Sequence, residues 1–198
     1  ARALAMNEVR IFEEREWLWP KEDYHCWKHL TEYHPTIPED ILKTIGKVFT
    51  VVQAGGNCGL YTAQYAKHVQ HVITFEPEPN NFLCLKNNIT ETNVTMYEAA
   101  LGDKECYVGV KVDPINSGAT RVINKGSIKQ VRLDDYEIEP DLIHLDIEGH
   151  EPHALKGMLD TLKKCHPVVA LERGNGENIL FDLGYSKWKP FGLDWLYI

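Results

Sequence analysis

No apolar run in this sequence approaches the roughly 20 residues needed to cross a bilayer, so a membrane-spanning helix is not expected. The five cysteines (26, 58, 84, 106 and 165) are odd in number and scattered, and none forms a CxxC pair. That pattern excludes a disulfide framework or a zinc knuckle and points to a reducing, cytoplasmic compartment. Positive charge is also scarce: 21 Lys and Arg against 29 Asp and Glu give a net charge of −8. Such a balance argues against a nonspecific binder of phosphate backbones. The basic clusters that do occur, Lys163-Lys164 and Lys187-Trp188-Lys189, are short. Ala1–Ala5 is too short, and too soon followed by charge, to read as a secretory signal. Internal repeats and low-complexity stretches are lacking. What is left is an ordinary globular composition, 43% hydrophobic and 25% charged, in 198 residues. That length suits one domain with an appended segment.

The informative residues are concentrated in one place. Val51-Val52-Gln53-Ala54-Gly55-Gly56-Asn57-Cys58-Gly59-Leu60-Tyr61-Thr62 reads as a β-branched run, a glycine-rich turn and the start of an amphipathic helix. Ile73-Thr74-Phe75-Glu76-Pro77 then reads as a second strand ending in a carboxylate. Glycines let the backbone turn sharply and approach a ligand closely. Glu76 follows Gly59 by 17 residues, where a carboxylate accepts hydrogen bonds from both ribose hydroxyls. The ligand class is therefore an adenosine compound. A P-loop is excluded because Leu60-Tyr61, not Lys-Ser/Thr, follows Gly59, and the Gly-x-Gly-x-x-Gly spacing of dinucleotide folds fits poorly. The loop form acidic-x-Gly-x-(Gly/Asn)-x-Gly of S-adenosylmethionine (SAM) sites matches at Gly55, Asn57 and Gly59, with Gln53 standing where the acid usually is. SAM has no pyrophosphate, which suits a loop without lysine.

Residues 1–46 read as a helical or irregular cap segment. Trp17, Trp19, Tyr24, Trp27 and Tyr33 are interleaved with charges there, placed to pack on the core. Pro38-Glu39-Asp40 opens a short helix that ends near Gly46. Residues 47–198 alternate strand and helix: strands at 48–52, 72–75, 94–99, 142–145 and 168–171, helices at 58–68, 80–89, 153–163 and 177–183. Antiparallel excursions are expected at 106–112 and 129–133. Tyr185–Lys189 and Trp195–Ile198 read as a terminal hairpin. The fold class is therefore α/β, a doubly wound, mostly parallel sheet closed by an antiparallel C-terminal hairpin, seven strands in all.

Together these blocks resemble the FkbM family of SAM-dependent methyltransferases, within the class I Rossmann-like superfamily, over roughly residues 48–198. The resemblance rests on Gln53–Thr62, Phe75–Asn80, Ala100-Leu101-Gly102-Asp103, Leu133-Asp134-Asp135 and, most specifically, Asp141-Leu142-Ile143-His144-Leu145-Asp146-Ile147-Glu148-Gly149-His150-Glu151. It implies transfer of a methyl group from SAM to a hydroxyl of a small molecule or glycan. The chain departs from the family's pattern at Gln53 (usually Asp), His144 (commonly Lys) and His150 (usually small). No Asn/Asp-Pro-Pro-Tyr/Phe motif is present, against an enzyme that methylates amino groups or nucleic acid. A silent SAM-binding interaction module is the reading from another class.

Ligands of open α/β sheets lie at the carboxyl ends of the strands, where Gly55, Asn57, Gly59, Glu76, Asp103, Asp146 and Glu148 all fall. Glu76, with Pro77 after it, is assigned to the ribose, and residues 101–103 to the adenine, with Asp103 accepting from its amino group. Gln53, Tyr61 and Thr62 are assigned to the methionine end. Asp146 and Glu148 are two residues apart and, if extended, point to one side. They can hold the methionine ammonium, orient the acceptor or act as base, and His150 is the alternative base. His144, Asp146 and Glu148 alternate, as ligands of one cation would. His144 reads as buried in its strand, however, and hard cations prefer oxygen, so no metal is assigned. His25, His29 and His34 show no partner spacing and receive no role.

Overall fold

The computed structural model describes residues 6–198, so the reading of Ala1–Ala5 lies outside the described residues. The chain opens with strands β1 (Asn7–Phe12) and β2 (Arg15–Pro20), paired antiparallel with Phe12 opposite Arg15. A helical turn α1 (His25–Lys28) runs into a π-helical stretch, His29–Tyr33, and then α2 (Ile37–Ile45). Proline and two acids occupy the first turn of α2, and Gly46 ends it at φ 86°.

From there strands and helices alternate: β3 (Thr50–Ala54), α3 (Leu60–Ala66), β4 (His71–Phe75), α4 (Pro79–Asn88), β5 (Val94–Tyr97). Short β6 (Ala100–Leu101), β7 (Cys106–Lys111) and long β8 (Arg121–Val131) form a separate three-stranded sheet in the order β6-β8-β7. The chain then returns through β9 (Leu142–Leu145), α5 (Glu151–Lys156), α6 (Leu159–Cys165), β10 (Val168–Glu172), α7 (Glu177–Asp182), β11 (Lys187–Phe191) and β12 (Asp194–Tyr197). The main sheet has seven strands in the order β11-β12-β10-β9-β3-β4-β5. Five are parallel, and the β11–β12 hairpin joins antiparallel to β10.

Burial with a period of two places this sheet between two apolar layers. Val51, Val72, Leu142 and Ala170 face α2 and α3, through Ile41, Tyr61 and Tyr65. Their neighbours Val52, Ile143, Val169 and Leu171 face Leu155, Met158, Leu162 and Leu180 of the other layer. The strand order reverses between β3 and β9. That switch point opens a crevice beyond the carboxyl ends of the strands, and the glycine loop after β3 and Asp146 after β9 meet there.

Two expectations are corrected. Residues 7–20 form a hairpin, not a helical or irregular stretch. Its turn places Glu13 and Glu14 at φ 50° and 61°, the two positive values of a tight hairpin turn normally supplied by Asn or Gly. The helix expected at 153–163 is two helices broken at Gly157, where a Cβ would lie 1.8 Å from the Gly102 carbonyl oxygen. Asp134 caps the second one, accepting from the Asp160 and Thr161 amides at 3.2 and 2.9 Å.

Candidate active site

The crevice is a cavity of about 320 Å³, lined from the glycine loop, the ends of β4, β9 and β10, and the segment that includes α1. Its base is the loop after β3. Gly55 and Gly56 both donate to the Phe75 carbonyl, at 3.0 and 3.1 Å. Gly55 sits at φ 89°, and a Cβ there would lie 2.0 Å from the Asp146 carbonyl oxygen. Only glycine fits that approach. Gly59, at φ 97°, turns the chain into α3 and lies outside the lining, so its expected contact with a cofactor is corrected to this turn.

Glu76 is 4% exposed, and each of its oxygens is held by a backbone amide: Asn57 N–H on Oε2 at 2.7 Å, Glu78 N–H on Oε1 at 2.9 Å. The side chain is thereby fixed against the cavity with lone pairs to spare. Burial pushes its pKa from 4.5 up to about 7, against the pull of those two amides. Asn57 also donates from Nδ2 to Ser117 Oγ at 3.1 Å. Ser117 in turn bonds the buried Asp23, which accepts from Trp19 Nε1 at 3.0 Å. The glycine loop is thus tied to the N-terminal segment through buried polar groups.

Gln53 lines the cavity with its side chain braced from behind, Oε1 accepting from Thr62 Oγ1 at 2.7 Å and Thr74 Oγ1 at 3.4 Å. Thr62 is fully buried and lies outside the lining, so its expected contact with a cofactor is corrected to support of Gln53. Tyr61 lines the cavity and donates to the His34 carbonyl at 2.9 Å. Asp103 also lies outside, its carboxylate 3.3 Å from His153 Nδ1; Leu101 is the residue of that segment that reaches the cavity. Pro77 is part of the lining.

The opposite wall is acidic. Asp146, Glu148 and Glu172 each bring a carboxylate oxygen within 4.8 Å of the others. Asp146 and Glu148 do not converge as an extended pair. β9 ends at Leu145, and a turn with Glu148 at φ 55° and Gly149 at φ 97° brings the two together. Burial and the charges of Asp194 and Glu172 raise the Asp146 pKa well above the carboxylate range. Burial and Glu148 push Glu172 up to about 7, against the nearby Arg173. His150 lies in the lining with Nε2 3.0 Å from Gln130 Oε1, and burial lowers its pKa to about 4, so the ring is neutral at pH 7. His144 turns away from the cavity: its nitrogens meet Tyr65 OH at 2.8 Å and Asp194 Oδ2 at 3.2 Å in the core.

Several lining residues escaped the sequence reading. Glu172 is the last residue of the fifth parallel strand, as Glu76 directly follows the second, so the strand-end rule would have found it. His25, His29 and His34 line the mouth of the cavity. No spacing signals them, because the backbone path of the N-terminal segment brings them there.

Comparison with known proteins follows this geometry. The methyltransferase FkbM domain family matches residues 53–184. Hexuronic acid methyltransferase AglP of Haloferax volcanii is 28% identical over 125 residues, 58% of this chain and 52% of that protein. The chain thus spans about half the length of this curated relative. Among solved structures, methyltransferase FkbM from Methylobacillus flagellatus superposes with a TM-score of 0.55 at 19% identity, covering 86% of this chain and 51% of that one. A SAM-dependent methyltransferase from Aquifex aeolicus gives 0.51 at 16% identity, with 89% and 93% covered. These likenesses show the fold, an α/β sheet of the class I methyltransferase kind, and the match over residues 53–184 places the chain in the FkbM methyltransferase domain family.

Proposed function

We propose that the protein is a SAM-dependent O-methyltransferase acting on a hydroxyl of a small molecule or glycan. The observation that carries this reading is Glu76, a buried carboxylate at the end of the second parallel strand. It is pinned by two backbone amides and faces a cavity that begins at the glycine turn. In this reading the ribose diol donates to Glu76, the adenine lies by Leu101 and Pro77, and the methionine end runs past Gln53 and Tyr61 toward the acidic wall. The N-terminal segment up to residue 46 serves as a cap, with His25, His29 and His34 on the acceptor side.

The protein's part is to bind, aim and deprotonate. The acceptor oxygen forms a bond to the methyl carbon as the carbon–sulfur bond breaks. The electron pair of that bond goes to sulfur, and the sulfonium becomes a neutral thioether. The hydroxyl proton leaves to a base. Asp146 is assigned that role, because it lines the cavity at the acidic wall and burial among carboxylates raises its proton affinity above that of an ordinary carboxylate. The net charge of −8 is against nucleic acid as the acceptor. The hexuronic acid named for the Haloferax relative supports a sugar acceptor.

Such a sugar carries both hydroxyls and a carboxylate, and the product tells them apart. With labelled SAM and a panel of neutral and uronic sugars, an alkali-stable methyl ether is expected. An alkali-labile ester would move the acceptor atom to the carboxylate. Asp146→Asn should still bind SAM, with turnover falling by about 10²–10⁴; lost SAM binding with residual turnover at saturating SAM would make Asp146 a cofactor ligand.

A further inference from the structure

We propose that Asp146, Glu148 and Glu172 form a binding site for a hard divalent cation at the acceptor end of the cavity. The sequence offers His144 as the third ligand of such a set, and an imidazole suits a hard cation poorly. The fold removes that objection. His144 is committed to Tyr65 and Asp194 in the core, and Glu172, from the end of the adjacent strand β10, takes its place. The donor set becomes three carboxylates.

An independent observation points to a missing partner. Glu172 is 4% exposed, and its Oε2 is buried without a hydrogen-bond partner among the described residues. Its other oxygen meets Arg173 Nη1 at 3.2 Å. The neighbouring Glu151, fully buried, also has an unpartnered Oε2, while its Oε1 accepts from the Ile147 and Gly149 amides at 3.0 and 3.3 Å. Arg173, half-exposed, and Arg121 are the cations that act on these carboxylates, and a buried carboxylate oxygen left unpaired is costly.

Size fits as well. Two oxygens bound to one ion can be no farther apart than twice the bond length, about 4.2 Å for Mg²⁺ and about 5 Å for Ca²⁺. The three ligand atoms lie within 4.8 Å of one another, so a Ca²⁺-sized ion gathers them with closure of at most about half an ångström and Mg²⁺ or Mn²⁺ with at most about an ångström. Three protein ligands leave coordination positions open toward the cavity, where an acceptor oxygen would sit. Asp146 would ligate through one carboxylate oxygen, and its other oxygen stays free to take the acceptor's proton. The binding claim stands without the cofactor reading; only its catalytic meaning rests on it.

Mn²⁺ is the probe. In protein stripped with a chelator, loss of the free-ion electron paramagnetic resonance signal should show one bound Mn²⁺ per chain, displaced by Mg²⁺ or Ca²⁺. Glu172→Gln and, from the loop, Glu148→Gln should each weaken binding tenfold or more, with unchanged circular dichroism. No binding at millimolar Mn²⁺, or binding by both variants as tight as that of the wild type, would overturn the proposal. So would one-for-one expulsion of Mn²⁺ by SAM, which would make the cluster the seat of the methionine ammonium. SAM titrated into the same samples separates the two readings. Mn²⁺ bound without SAM sinks the cofactor assignment and leaves the ion site standing, and SAM bound without Mn²⁺ does the reverse.

Discussion

Glu76 is the side chain on which the proposed cofactor site rests. A carboxylate whose folded pKa is raised from 4.5 to about 7 binds its proton more tightly in the folded protein than in the unfolded chain. Its contribution to stability is present in full below about pH 4.5 and is lost as the pH rises through 7. Over that window the loss amounts to about 3 kcal/mol at most. Glu76→Gln cannot ionise, and it carries a pH-independent cost because an amide nitrogen replaces one of the two acceptors. Thermal melts from pH 4.5 to 8 should therefore show the variant gaining on the wild type as the pH rises. Parallel melting curves for the two proteins would mean that Glu76 is ionised throughout and that its burial is compensated. The His150 shift works in the opposite direction. A folded pKa lowered to about 4 adds stability above the ordinary value of 6.5 that is lost as the pH falls through 4. It is common to both proteins and cancels in the comparison.

At the scale of elements, the N-terminal hairpin is joined to the core by Asn88, the last residue of α4. Its Oδ1 accepts from the Leu18 amide at 2.7 Å, and its Nδ2 donates to the Leu18 and Cys58 carbonyls at 2.9 and 2.8 Å. Trp17 and Trp19 pack into the same cluster as Phe82 and Leu85. Asn88→Leu keeps the bulk and strands three backbone groups, at about 1–3 kcal/mol for each one left unsatisfied. With about 2–4 °C per kcal/mol for a chain of this size, the melting temperature should fall by at least about 6 °C. An unchanged melting temperature would show that the hairpin docks by its tryptophans alone. The central elements were legible in the sequence because their signals are strong and local: β-branched runs, a glycine turn and acids at strand ends. The hairpin was not, because Glu13-Glu14 carries no turn signature and the two-residue connection between the paired strands, rather than residue preference, sets its positive φ angles. Nor was the helix break at Gly157, which a contact with Gly102, distant in sequence, decides.

For the whole molecule, the same division between local and long-range causes separates what could be read of the site from what could not. Gly55, Asn57, Glu76, Asp146 and Glu148 border the crevice at the switch point, where strand ends converge, while Gly59 lies outside the lining. Thr62 and Asp103 were misplaced because adjacency along the chain does not fix the side on which a side chain emerges. The histidines at the mouth were missed because their position depends on the path of a segment that no local pattern describes. No helix among the described residues is long and apolar enough to cross a membrane. The cavity itself, with one glycine turn and one carboxylate pinned by two amides, is consistent with the proposed single adenosine site. The most direct test is calorimetric titration of SAM into the wild-type protein and into Glu76→Ala. Saturable binding at one SAM per chain is expected for the wild type. For the variant, losing bonds worth about 1.5–3 kcal/mol should weaken affinity roughly ten- to a hundredfold. Absence of any heat with SAM or its demethylated product, in a sample that binds NAD, would contradict the assignment outright.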